Sequence, residues 1–126
     1  MSNYRALITN FTPGSAKEVE FIIQGPPDGL LINGAEFIVK SRPEDNDDVP
    51  VVFKEITLTD TPGVGFISDN GSGGTFTVRV DLTNADTIAI AMNRMSFYLQ
   101  LATTSFPAPY IPYVGTIAAN AKSIAL

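Results

Sequence analysis

The stretch Thr75-Phe76-Thr77-Val78-Arg79-Val80-Asp81-Leu82 constrains this chain more than any other, because every even position is apolar and every odd one polar. Successive side chains of a strand point to opposite faces, so this segment must lay one face on a core and the other in water. A helix would scatter the same residues around its axis. The period recurs along the chain. Val19, Phe21 and Ile23 alternate with Glu18, Glu20 and Gln24, and Ala35, Phe37 and Val39 alternate with Glu36 and Lys40. Phe97, Leu99 and Leu101 line one face of a further strand, and Ile56 and Leu58 mark another between Glu55, Thr57 and Thr59. Residues 4–9 and 115–118 are shorter candidates. About seven strands without helical crossovers predict an all-β, antiparallel, two-sheet sandwich rather than a βαβ fold.

Turn signals separate these strands. They are Thr12-Pro13-Gly14, Gly25-Pro26-Pro27-Asp28-Gly29, Asn33-Gly34, Pro62-Gly63 and Asp69-Asn70-Gly71-Ser72-Gly73-Gly74. Glycine accepts positive φ and proline holds φ near −65°, so such clusters reverse the chain. They leave room for at most one short helical turn. Its place is after Thr83, where Thr83-Asn84-Ala85-Asp86 has the spacing of a capping box with Asp in the final position.

At 126 residues the chain has the size of a single domain, read here as 1–126, and can bury roughly two-thirds of its unfolded surface. No apolar stretch approaches the 18 residues of a membrane-spanning helix. The first eleven residues contain Arg5 but no sustained apolar region, so the expectation is a chain made in the cytoplasm or already processed. Cysteine is absent, which removes disulfides and thiolate metal sites. Histidine is absent too, removing the commonest general base near neutral pH and the commonest metal ligand. A net charge of −5 repels phosphate backbones and argues against nucleic acid as the main partner. No catalytic residue, cofactor or metal is expected.

Three segments invite a closer reading. Glu44, Asp45, Asp47 and Asp48 gather carboxylates in one loop, as a Ca²⁺ site would, but the spacing departs from an EF-hand and a solvated loop is the expectation. The glycine-rich run 69–74 leads into a strand rather than a helix, so a phosphate would find no helix N-terminus there. In Phe106-Pro107-Ala108-Pro109-Tyr110-Ile111-Pro112-Tyr113 three prolines stiffen a loop that offers three aromatics and one isoleucine. Rigid aromatic surface suits binding, which makes Phe106, Tyr110, Ile111 and Tyr113 the candidate partner contacts, with coverage of the core end as the alternative use. An open sandwich also exposes edge strands, for which 4–9 and Ser123-Ile124-Ala125-Leu126 are the candidates.

The order of features resembles the immunoglobulin-like domains of bacteriophage virions, in particular the N-terminal domain of the phage baseplate upper protein family. The residues that carry it begin with Val19-Glu20-Phe21-Ile22-Ile23, a Gly/Pro/Asp turn, and Leu30-Leu31-Ile32-Asn33-Gly34-Ala35-Glu36-Phe37-Ile38-Val39-Lys40. They continue through 76–82, Ala85-Asp86-Thr87, a strand around Tyr98, and Val114-Gly115-Thr116-Ile117-Ala118. The resemblance implies a single immunoglobulin-like sandwich that serves as a building block of the phage particle at the head surface, neck or tail. It implies a protein made in the host cytoplasm and carried in the virion, with other virion proteins and further copies of itself as partners. The alternative function is a module that recognises a cell-surface glycan through Tyr110 and Tyr113.

Overall fold

The alternating segment forms a strand, β6 (Phe76–Leu82), with Phe76, Val78, Val80 and Leu82 buried. The computed structural model describes residues 4–9, 11–23, 32–42, 50–69, 75–90, 94–103 and 110–118. Seven further strands lie among them: β1 (Tyr4–Ile8), β2 (Lys17–Ile23), β3 (Ile32–Lys40), β4 (Val52–Ile56), β5 (Gly65–Ile67), β7 (Met95–Thr103) and β8 (Tyr110–Ile117). A helix, α1 (Asn84–Ile90), links β6 to β7. The strands form a five-stranded sheet, β1-β8-β7-β3-β4, facing a three-stranded sheet, β2-β6-β5.

The apolar halves of the alternating strands meet between the sheets. Phe21 of β2 packs against Phe37 of β3 and Phe97 of β7, with ring centroids 6.0 and 5.9 Å away, and Phe37 and Phe97 are 5.5 Å apart. Val39, Ile67, Val78, Val80, Leu99 and Ile117 are fully buried around this cluster. Burial of this apolar surface supplies the main drive to fold, since the chain has no disulfide to restrain it.

Several details depart from the sequence expectations. The pairing of β1 with β8 is parallel, whereas the other strand pairs are antiparallel. These two strands lie at opposite ends of the sequence, so no tight hairpin dictates their sense. Their approach depends on Gly115, where a Cβ would collide with the Ala6 carbonyl of β1. The strand expected around Ile56 and Leu58 starts at Val52 and ends at Ile56, leaving Leu58 exposed. Lys54 occupies the inward slot between Val52 and Ile56 and hides the alternation. Asn33-Gly34 does not turn the chain; it lies inside β3, at a register shift against β7. The short β5 was not expected.

The helix starts as the capping spacing requires. The Asp86 amide donates to the Thr83 hydroxyl (3.2 Å), and the Thr83 amide donates to the Asp86 carboxylate (2.8 Å). It then runs for seven residues, about two turns, longer than the single turn expected. Thr87, Ile88 and Ile90 are poor helix formers, but Thr87 and Ile90 are completely buried, and such packing outweighs propensity. The Lys54 ammonium reaches from β4 to the Asp86 carboxylate (2.6 Å) and the Gly63 carbonyl (2.8 Å), closing this end of the sandwich. Burial alone would raise the Asp86 pKa. The Lys54 hydrogen bond and those from the Thr83 backbone and side chain together outweigh it and hold the carboxyl below its ordinary value.

Candidate functional site

The outer faces of the two sheets differ in kind. On the three-stranded sheet, Arg79 donates to Asp81 (2.8 and 3.2 Å) and Asp60 (2.6 Å) and lies 5.9 Å from the centroid of the Phe66 ring. The hydrogen bonds to Asp60 and Asp81 raise the guanidinium pKa further above its already high value, and the same contact lowers that of Asp60. Glu20 stands opposite Arg79 in the β2–β6 register. Arg79 is thus held by carboxylates of its own face, which also carries Glu18 and an exposed Ile22.

The outer face of the five-stranded sheet is built otherwise. Strand register sets Phe53, Ile38, Tyr98, Val114 and Arg5 side by side, one from each of β4, β3, β7, β8 and β1. The next row holds Lys40, Ser96, Thr116 and Leu7, and the row on the other side holds Glu55, Glu36 and Gln100. A sheet face turned to water normally carries polar residues. Here Phe53 is 46% and Leu7 57% exposed, while Ile38 between them in the sheet is buried. The Lys40 ammonium lies 5.3 Å from the Tyr98 ring centroid, a cation–π distance, and covers part of the apolar row.

An open groove of about 540 Å³ follows this face, bordered by Arg5, Lys40, Tyr98, Ile111, Val114 and Thr116. Ile111 arrives there because β8 bulges against β7. Leu99 pairs with Tyr113 and Leu101 with Tyr110, so three steps on β8 match two on β7. Pro112 sits within that irregularity, where a missing N–H costs no ladder bond. The segment expected as a proline-stiffened loop is therefore strand from Tyr110 onward.

The sequence-derived contact residues separate in the structure. Ile111 joins the groove. Tyr113 points into the sandwich, its ring 4.9 Å from that of Phe21, and its hydroxyl donates to the Ile22 carbonyl of β2 (2.8 Å), tying the two sheets together. Tyr110 contributes its backbone pairing to Leu101. Phe106 lies outside the described residues, as do Glu44, Asp45, Asp47 and Asp48, the glycine run from Asn70 to Gly74, and the C-terminal Ser123 to Leu126. The expected edge strand at 4–9 is β1, at one margin of the five-stranded sheet. Tyr98, Val114, Phe53 and Leu7 escaped the sequence reading. The only signal for them was apolar residues at the outward phase of strands whose inward phase was already apolar.

Among the described residues no group of three or more acidic side chains is placed to hold a metal ion. Among the same residues no helix is long and apolar enough to cross a membrane, which leaves strand-built membrane proteins aside.

No protein-family model matches the chain, and no curated protein matches it. Among solved structures it is similar to the NK cell receptor NKp44, a triggering partner in natural cytotoxicity, with a TM-score of 0.51 and 15% identity. That similarity covers 94% of this chain and 100% of the receptor chain. At such identity the likeness speaks for architecture alone, and the chain is an immunoglobulin-like β-sandwich.

Proposed function

We propose that this chain is a non-catalytic assembly domain, a structural protein of a bacteriophage particle that attaches to neighbouring proteins through the outer face of its five-stranded sheet. The observation that carries the assembly reading is the row Phe53, Ile38, Tyr98, Val114 and Arg5, an apolar band across four strands that ends at a cation on the edge strand β1. Contiguous apolar surface framed by charged residues is what protein interfaces use. Ile111 extends the band, and β1 brings an edge strand beside it. The phage setting rests on the order of strands and turns in the sequence. A sequence without histidine or cysteine supports a role in which nothing is turned over. The glycan alternative needed Tyr110 and Tyr113 as a pair. With the Tyr113 ring packed on Phe21, no feature of the described surface favours it.

Mass spectrometry of purified phage particles tests the setting. The chain is expected in the particle at a fixed copy number, released only under conditions that dismantle it. Particles that are complete and infectious without the chain would overturn the reading.

A further inference from the structure

We infer that the outer face of the five-stranded sheet receives a second copy of this chain, turned so that the acidic edge of each face lies on the basic edge of the other. The inference rests on the assembly reading above and names the occupant.

The acidic edge is an unusual pairing. Glu36 and Glu55 stand directly opposite each other on β3 and β4, both on the outer face. Like charges in that position repel and weaken the sheet. Glu36 accepts one hydrogen bond from Gln100 (3.3 Å), and neither glutamate forms an ion pair with a described residue. A groove of about 460 Å³ opens beside them, bordered also by Asn33, Thr57 and Ala102. The isolated chain bears a cost here that an incoming cation would remove.

The cations lie elsewhere on the same face. Arg5 is exposed on β1, the far edge strand, and Arg94 is exposed immediately before β7, at the opposite end of the sheet from Glu36. The row from Phe53 to Val114 crosses the sheet from the strand of Glu55 and ends at Arg5 on the opposite edge. A face with acid towards one edge, base at the opposite edge and apolar residues between is complementary to itself under a two-fold rotation. Such an isologous contact closes at two copies and uses every charged contact twice.

The area suffices. The five strands comprise 5, 8, 9, 9 and 5 residues. At about 3.3 Å per residue and about 4.8 Å between strands, the face is roughly 600 Å² in flat projection. Side-chain relief brings that towards the ~800 Å² that each partner of a standard interface buries.

Sedimentation equilibrium of the full chain over a wide concentration range tests the inference. A reversible dimer is expected, weakened by added salt. Arg5→Glu and Glu55→Lys should each raise the dimer Kd about tenfold, because each sets like charges against each other across the contact. The two combined in one chain should return the Kd to within about threefold of the starting protein, a rescue that only a direct pairing of Arg5 with Glu55 produces. Glu55→Lys should also raise the melting temperature of the monomer by relieving Glu36, which separates lost association from lost folding. Glu18→Lys, on the outer face of the other sheet, should leave the dimer intact. A chain monomeric at every concentration, or a double variant no better than the singles, overturns the inference. If that monomeric chain still binds another particle protein and loses it on Tyr98→Glu, the second copy is wrong and the assembly surface stands. Loss of both overturns both.

Discussion

Phe21 and Phe97 face each other from opposite sheets with ring centroids 5.9 Å apart, and Phe37 touches both. Antibody domains fasten the corresponding place with a disulfide between facing strands and a tryptophan packed on it. This chain fills it with three phenylalanines and so needs no oxidising compartment to close its sandwich.

Phe21→Ala should therefore be among the most damaging single substitutions. Removing a ring that is 4% exposed, with Phe37, Phe97 and Tyr113 left facing a void, is expected to cost about 3–5 kcal/mol. Urea unfolding checks this: the midpoint should fall sharply while the slope stays constant. A loss under about 1 kcal/mol would mean that the cluster is not the centre of the core.

The Lys54–Asp86 pair should make stability depend on acid. The Asp86 carboxyl titrates below its ordinary value of 3.8 in the folded chain, so its contribution is full above that value and is lost as pH falls through the folded pKa. Thermal melts between pH 7 and pH 2 should show that loss, and Asp86→Asn should flatten part of it. Lys54→Met leaves the carboxylate half-buried without its cation and should cost about 2 kcal/mol at pH 7.

Gly115→Ala tests the seam between β1 and β8. The added methyl would strike the Ala6 carbonyl, so β1 must move, at a cost of about 1–3 kcal/mol. Hydrogen exchange should show protection falling across the Arg5–Ile8 amides while β6 keeps its own. Unchanged β1 protection would refute the close approach.

Tyr113→Phe separates a structural tyrosine from a binding one. It removes the hydrogen bond to the Ile22 carbonyl and keeps the ring on Phe21, so a loss of about 0.5–1 kcal/mol in stability is expected with association unchanged. Weaker association at unchanged stability would return Tyr113 to the role of a partner contact.

These substitutions also mark what the sequence made legible. Alternation exposed β6 and the inward phases of β2, β3 and β7, because a buried face leaves a period-two trace. The capping spacing at Thr83 and Asp86 located the start of α1. Its length followed from the burial of Thr87 and Ile90, which is tertiary and leaves no local trace. Gly65–Ile67 is too short to show a period and owes its place to pairing with Val78, Arg79 and Val80. The inward Lys54 broke the pattern of β4 because its charge is satisfied by Asp86, a residue 32 positions later in the chain. The outer-face row is assembled from five strands, and only their register brings Phe53, Ile38, Tyr98, Val114 and Arg5 together. Proline marked 106–113 as a loop, yet a bulge lets Pro112 sit inside a strand.

The central claim is that two copies of the chain meet through the outer faces of their five-stranded sheets, and the most direct test is an amide NMR titration of the labelled protein against increasing concentrations of unlabelled chain. Shifts should concentrate on β1, β8, β7, β3 and β4, around Arg5, Val114, Tyr98, Ile38 and Phe53, with β2 and β6 silent. Shifts confined to β2, β5 and β6, or none at the highest concentration, would contradict it.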